Sequence, residues 1–314
     1  MYLTFFLNTK YGREQLIWLS RQTGQVNLNC REVEEISIPI FSDNFMDIIH
    51  KINNQRHISF HDSEKIYNQA ESLFLAEIGL AEWKPGHTLT FVGHYSEAAH
   101  ARRLDAEHFQ PKYYELFDLI QPFNLTKVLS KDKQVIETIY LEEEELYAYI
   151  EISNINVSTG EVNFTERLGK NLPPNAKLRV KGGEIIISKV RPTRGAIGII
   201  PTLYNKKLIC SSAFSIFNFD SPIREYLQVV LRSIIGKTQL ERPSKGTSYP
   251  VIDDLDVRNI LIPLVRPEII KNISTLVIQS HAARQEANAL LEKAKRAVEI
   301  AIEEGEDAAM KYLV

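Results

Sequence analysis

The chain has 314 residues, 44% of them hydrophobic and 25% charged, with 37 Lys and Arg against 40 Asp and Glu for a formal net charge of −3. That balance excludes wholesale disorder, a collagen-like fibre and a globally basic nucleic-acid coat, but leaves room for one local basic face. No apolar run approaches the ~18 residues of a membrane span, and the opening MYLTFFLNTKYGREQ lacks the basic segment and cleavage site of a secretory signal, so a cytoplasmic location and no membrane partner are expected.

From the N-terminus, Tyr2 to about Leu19 carries a short helical pattern, followed by a Gly-containing loop and then EEISIPI. The alternating apolar residues of that last piece read as a half-buried strand ending near Pro39. Residues ~43–80 read as one long helix, with Phe45, Ile48, Ile49, Ile52, Ile66, Tyr67, Ala70, Phe74 and Ile78 three and four apart. His57 and His61 stand four apart on it with no third ligand nearby, and read as polar positions on the helix. Trp83 to Gly93, with Pro85 and Gly86, reads as a linker.

Residues ~95–265 have a different character. They are rich in β-branched and aromatic residues with period-two stretches such as YAYIEISNINV, GEIIISKV and LICSSAFSIF. Turn signals fall at Thr159-Gly160, Pro173-Pro174, Gly182-Gly183, Arg194-Gly195 and Asn205. Within 161–207 stand ten basic residues (Arg167, Lys170, Lys177, Arg179, Lys181, Lys189, Arg191, Arg194, Lys206, Lys207) against three acidic ones, a local charge of +7, whereas Glu142 to Glu145 form an acidic run. A near-neutral protein with one basic lobe suits a polyanion on that lobe. Then come a helical pattern from Ile223 to about Ile235, the strand-like RNILIPL, and a second long helix over ~267–312, with Pro267 in its first turn.

The two ends are copies of one another at a constant offset of 224. Tyr2, Leu3, Leu7, Gly12 and Leu16 match Tyr226, Leu227, Leu231, Gly236 and Leu240, and Val33, Ile36, Ile38 and Pro39 match Val257, Ile260, Ile262 and Pro263. The register continues into both long helices. Midway the apolar stripes turn small, at Ser59 and Ser63 in one and Ala283 and Ala287 in the other, which predicts close antiparallel packing of the pair as a stiff spacer.

Chemical motifs are sparse. The chain has no phosphate-binding GxxxxGK[ST] loop, no GxGxxG and no GxSxG elbow, and Cys30 and Cys210 stand 180 residues apart with no zinc or nucleophile signature. Asp253, Asp254 and Asp256 read as solvated residues and a helix cap before RNILIPL. No catalytic centre, cofactor or metal site is expected.

Several segments, taken in order, resemble the specificity subunit of type I restriction–modification systems: ARRLDAEHFQPKYYEL (101–116), YAYIEISNINVSTGEV (147–162), LRVKGGEIIISKVRPTRGAIGII (178–200), and the run from IREYLQVVLRS to KGTSYPVIDDLDVRNILIPLVRPEII. The resemblance implies an α+β protein with one mixed α/β target-recognition domain and two long helices forming an antiparallel, coiled-coil-like pair. The implied divisions are 1–40 as the C-terminal remnant of a first recognition domain, 41–82 as the first long spacer helix, 83–94 as linker, 95–265 as the recognition domain and 266–314 as the second long helix. Departing from the family's two-domain pattern, the chain then reads as a shortened or split subunit, whose Phe5, Phe6, Leu7, Ile17, Trp18 and Leu19 would be exposed unless another chain covers them.

What the resemblance implies for function is a non-catalytic reader of a half-site in double-stranded DNA. Its helices would dock modification (adenine methyltransferase) subunits, and a restriction (motor-nuclease) subunit would join the complex. Two alternatives accompany it: an assembly or decoy subunit that binds the modification subunit without directing a site, and a homodimer reading a palindromic bipartite site. The side chains expected at DNA are Lys189, Arg191, Thr193 and Arg194 after the IIIS strand, and Lys245, Thr247, Ser248 and Tyr249 around Gly246, because these types suit base edges and phosphates. Lys181, Lys206 and Lys207 are expected at phosphates or in solvent.

Overall fold

The structure is a computed structural model that describes residues 2–20, 27–202 and 206–313; the turn expected at Asn205 lies outside the described residues. Helices in chain order are α1 (Tyr2–Asn8), α2 (Lys10–Leu19), α3 (Cys30–Glu34), α4 (Asp43–Glu77), α5 (Tyr95–Ala101), α6 (Pro111–Ile120), α7 (Ile223–Arg232), α8 (Ile234–Glu241), α9 (Asp254–Arg258), α10 (Pro267–Glu304) and α11 (Glu306–Leu313). Strands are β1 (Asn124–Thr126), β2 (Leu146–Ile150), β3 (Thr165–Leu168), β4 (Ala176–Arg179), β5 (Ile185–Ser188), β6 (Ile197–Ile199), β7 (Lys207–Ser211), β8 (Phe214–Phe217) and β9 (Ile262–Leu264). The chain forms two compact units, residues 1–65 with 279–314 and residues 66–278, and the boundary falls inside both long helices.

The first unit packs α1 to α3 with the start of α4 and the end of α10. Its core joins Phe5 and Phe6 of α1 to Phe45 and Ile49 of α4 and to Ala294, Ala297, Val298 and Ala301 of α10. Phe5 and Phe6, expected at the surface, are therefore buried: the end of a long helix from the far side of the sequence covers them. Ile17 and Trp18 do stay exposed. Here α4 and α10 run antiparallel. Ser59 donates to Glu286 at 3.2 Å, Arg284 sits 3.7 Å over the Phe60 ring, and the Ser63 carbonyl accepts from Ser280 at 2.8 Å. As one number rises the other falls, and the contact is close because Ser59, Ser63, Ser280 and Ala287 are small and buried. The second long helix does not run to residue 312; Gly305, at φ +93°, ends α10 and starts α11.

The second unit contains all the strands of the described residues. A four-stranded sheet runs β3-β2-β7-β4, with β2 and β7 parallel; a three-stranded antiparallel sheet runs β6-β5-β8; β1 pairs antiparallel with β9. Every residue of β5 (IIIS) and β8 (FSIF) is buried, as expected of strands covered on both faces. Beneath them α7 is buried along Glu225 to Arg232 and packs with Tyr67, Ala70 and Phe74 of α4 and Ile273 and Val277 of α10.

The repeat holds at the level of individual hydrogen bonds. Thr9 breaks α1 from α2, its amide reaching Phe5 O at 3.1 Å and its hydroxyl Phe6 O at 2.6 Å. Ser233 does the same between α7 and α8, toward Val229 O at 2.9 Å and Val230 O at 2.7 Å. Gln15 exchanges two bonds with the Ser37 backbone at 3.0 and 2.8 Å, and Gln239 does so with Leu261 at 2.9 and 2.8 Å. Asn29 with Glu32 and Asp253 with Asp256 form matching capping boxes on α3 and α9. In one particular the copies differ: β9 is a strand paired with β1, whereas its counterpart at 38–40 belongs to no helix or strand.

The repeated glycines lie inside α2 and α8, while Gly24 of the loop expected after Leu19 lies outside the described residues. A Cβ on Gly12 would stand 2.3 Å from Phe6 O, and one on Gly236 would stand 2.4 Å from Leu231 Cα, both backbone atoms that cannot give way. Gly236→Ala should therefore destabilise the chain by about 1–3 kcal/mol through overpacking, although alanine alone would favour a helix by ~1 kcal/mol. Thermal unfolding followed by circular dichroism checks the sign. The thiols give a second check. Cys210 is buried, which pushes its pKa well up, while Cys30 is exposed. A disulfide reagent should titrate one thiol in the native chain and two in denaturant.

Candidate nucleic-acid interface

The loop after β5 begins with a local fold-back. Ser188 donates its hydroxyl to Val190 O at 2.7 Å, and Lys189 donates its amide to Ala213 O at 2.9 Å. Arg191 then takes the left-handed conformation (φ 47°), a position sparsely populated by non-glycine residues, and Pro192–Arg194 make a single tight turn closed by Gly195 at φ +81°.

The loop between α8 and α9 is closed differently. Lys245 and Val251 exchange amide–carbonyl bonds, both at 2.9 Å, so residues 246–250 project as a tip, with Gly246 at φ +93° allowing the bend. Arg103 anchors its base by donating to Pro243 O at 2.8 Å and Ser244 O at 3.0 Å. Asp105 holds that guanidinium at 2.9 and 2.5 Å. Those same hydrogen bonds keep the Asp105 carboxyl below its ordinary value of 3.8. Its grip is complete above that value and fades as the pH falls through the lower folded one.

These two loops, some 55 residues apart in sequence, are one surface. Arg191 N donates to Pro250 O at 2.7 Å, Ile252 N to Lys189 O at 2.9 Å, and Val190 pairs with Val251. The Arg191 guanidinium lies 4.9 Å over the Tyr249 ring and donates to Ser248 O at 3.3 Å. Thr193, Arg194, Lys245, Thr247, Ser248 and Tyr249 are exposed around it, and no ion pair engages Arg194 or Lys245 among the described residues. Lys189 is different: its ammonium sits 3.3 Å from Asp254, which also accepts from Ser215 at 2.5 Å, so its charge is balanced. Lys181 lies at the opposite end of β5, in a turn whose amides are held by buried Glu184 at 2.8 and 2.7 Å, and is not part of this surface.

Much of the basic lobe is neutralised. Lys170 pairs with Glu144 at 2.9 Å, Lys207 with Glu145 at 2.9 Å, Arg179 with Glu137 at 3.3 Å, and Lys206 with Glu166. The acidic run at 142–145 thus cancels charge at Lys170 and Lys207, while Arg194 and Lys245 at the joined loops stand in no ion pair among the described residues.

Two residues absent from the sequence-based selection organise the surface. Arg103 is one. The other is Arg232, buried at the end of α7, whose guanidinium donates to Tyr67 Oη at 2.9 Å, Gly195 O at 2.9 Å, Ile197 O at 3.3 Å and Val157 O at 3.2 Å. It fastens the far end of the 191–195 loop to α4. Burial pushes the Tyr67 phenol up to about 12, so it remains a protonated acceptor. The double arginine of ARRLD was a visible signal for Arg103; Arg232, in an amphipathic helix, offered none.

No protein-family model matches the chain, and no curated protein matches it. Among solved structures it is similar to the HsdS subunit from Thermoanaerobacter tengcongensis, at 24% identity and a TM-score of 0.42, over 57% of this chain and 46% of that one. It is also similar to a chain from a structure concerned with complex assembly and conformational transition of the type I R-M system, at 24% identity and a TM-score of 0.41, over 57% of this chain and 47% of the other. Each match spans less than half the length of the solved chain. No helix among the described residues is long and apolar enough to cross a membrane.

Proposed function

We propose that this chain reads a half-site of duplex DNA with the joined loops 189–195 and 245–251, as the specificity subunit of a type I restriction–modification complex. The observation that carries this reading is the pairing of Arg191 with Tyr249, which sets unpaired Arg194 and Lys245 beside exposed Thr193, Thr247 and Ser248. Arginine suits guanine edges and the hydroxyls suit either bases or phosphates, so a rigid base with a polar, cationic tip fits direct readout better than a diffuse charged face. The helices α4 and α10 would carry modification subunits, and a motor-nuclease subunit would complete the assembly.

Selection from random duplex DNA, with the chain co-purified with a modification subunit at stated salt, tests this. Enrichment of one short half-site supports the reading, and two inverted copies at fixed spacing would make the acting form a homodimer. Stable co-purification without enrichment would favour an assembly or decoy subunit instead.

A further inference from the structure

Among the described residues only two that are not glycine take the left-handed backbone conformation, and both are arginines: Arg191 at φ 47° and Arg102 at φ 51°. They stand on opposite legs of the same loop. Arg191 holds the outgoing leg by donating its amide to Pro250 O at 2.7 Å. Arg102 ends α5, and its neighbour Arg103 holds the incoming leg at Pro243 O and Ser244 O, at 2.8 and 3.0 Å. The tip at 246–250 thus projects between two residues of one type in one unusual conformation.

A helix that ends in the left-handed region usually does so on glycine or asparagine, which bear that conformation at little cost. Gly305 closes α10 in this way. Arginine must accommodate a Cβ there, and the Arg102 side chain gains nothing locally: it is exposed and makes no hydrogen bond, ion pair or ring contact among the described residues. Residues held in sparsely populated backbone regions concentrate where a protein binds something. The acidic groups of residues 94–108 are already engaged. Asp105 holds Arg103, Glu97 accepts from Tyr114 Oη at 3.2 Å, and Glu107 lies 3.2 Å from His87 Nε2. The Arg102 charge is therefore left uncompensated at the base of the tip, as that of Lys245 is.

We infer that Arg102 is a further DNA contact, which takes a backbone phosphate beside the half-site on the leg opposite Arg191. The inference rests on the half-site reading of the joined loops. Position selects phosphate over base. The anchor made by Arg103 puts residue 102 at the base of the loop, set back from the tip, where a duplex whose groove takes the tip presents its sugar–phosphate rim. Such a contact carries no sequence information; it fixes the register in which Arg191 and the tip hydroxyls meet the bases.

The test uses the full chain with its modification subunit, the duplex enriched by random selection and a scrambled duplex of equal length. Arg102→Gly is expected to bind both roughly 3- to 10-fold more weakly, with their ratio unchanged and the slope of log Kd against log salt shallower by about 1. Its thermal midpoint should stay level or rise by about 1–3 °C, since glycine bears a positive φ without strain. Arg102→Lys keeps the charge and should bind within about twofold of the unaltered chain, because a phosphate also accepts a point charge. Unchanged binding by Arg102→Gly overturns the inference, as does a loss confined to the enriched duplex, which would make Arg102 a base contact. A lowered thermal midpoint overturns it too, since Arg102 would then serve the end of α5. In each of these cases a preference of the unaltered chain for the enriched duplex leaves the half-site reading standing; an unaltered chain that prefers neither duplex ends both.

Discussion

Replacing Arg232 by Met is expected to cost about 2–4 kcal/mol of stability, because a buried donor to one phenol and three carbonyls is lost and each group left unsatisfied costs about 1–3 kcal/mol. Methionine roughly fills the space, so the loss reports polar groups more than volume. The carbonyls of Gly195 and Ile197 lose a buried donor and that of Val157 a part-buried one, while Gly195 O keeps the Ile197 amide at 2.8 Å. Lysine should recover little, because one ammonium cannot span the directions a planar guanidinium covers. Urea unfolding measures the effect through its midpoint. A loss under about 1 kcal/mol would mean that other groups satisfy these carbonyls and that the 191–195 loop needs no clamp from α7.

Replacing Arg191 by Ala should weaken binding to the selected half-site by about 1–3 kcal/mol, which is roughly 5- to 150-fold in Kd, and relax discrimination at one base position. Arg191→Lys should resemble the alanine variant, since the stack on Tyr249 and the bond to Ser248 O both use the planar guanidinium. Competition against single-base variants of the site separates the readings. A uniform loss across sequences with a shallower salt dependence makes Arg191 a phosphate contact. Unchanged binding removes it from the interface.

Much of the helical framework was legible because its residues admit few substitutes. Gly12 and Gly236 sit where a Cβ would strike backbone, so the same rare residue recurs at offset 224. Small residues at Ser59 and Ser63 likewise announced a close helix pair. The burial of Phe5 and Phe6 was not legible, since what covers them lies nearly 290 residues away on α10. The two loops were each visible from their turn residues and charges, but their union was not: it rests on backbone bonds at Val190, Arg191 and Val251, which leave no trace in side-chain type. Charge misled in a specific way. The count of ten basic residues ignored the acidic run at 142–145, which folding sets against Lys170 and Lys207.

The twin joints at Thr9 and Ser233 have a further consequence. They make the same bonds in the same order within different surroundings, so the polypeptide contains its own control experiment. A substitution placed at Gly12, at Gly236 and at both closes a thermodynamic cycle inside one molecule. The backbone cost common to the joints cancels, and what remains is the difference between their surroundings: Ile17 and Trp18 are exposed beside the first, whereas the equivalent Glu241 pairs with Lys112 beside the second. Exchanging Ile17 and Trp18 for Glu and Arg, or Glu241 and Arg242 for Ile and Trp, would then measure how far two copies of an ancestral part have specialised.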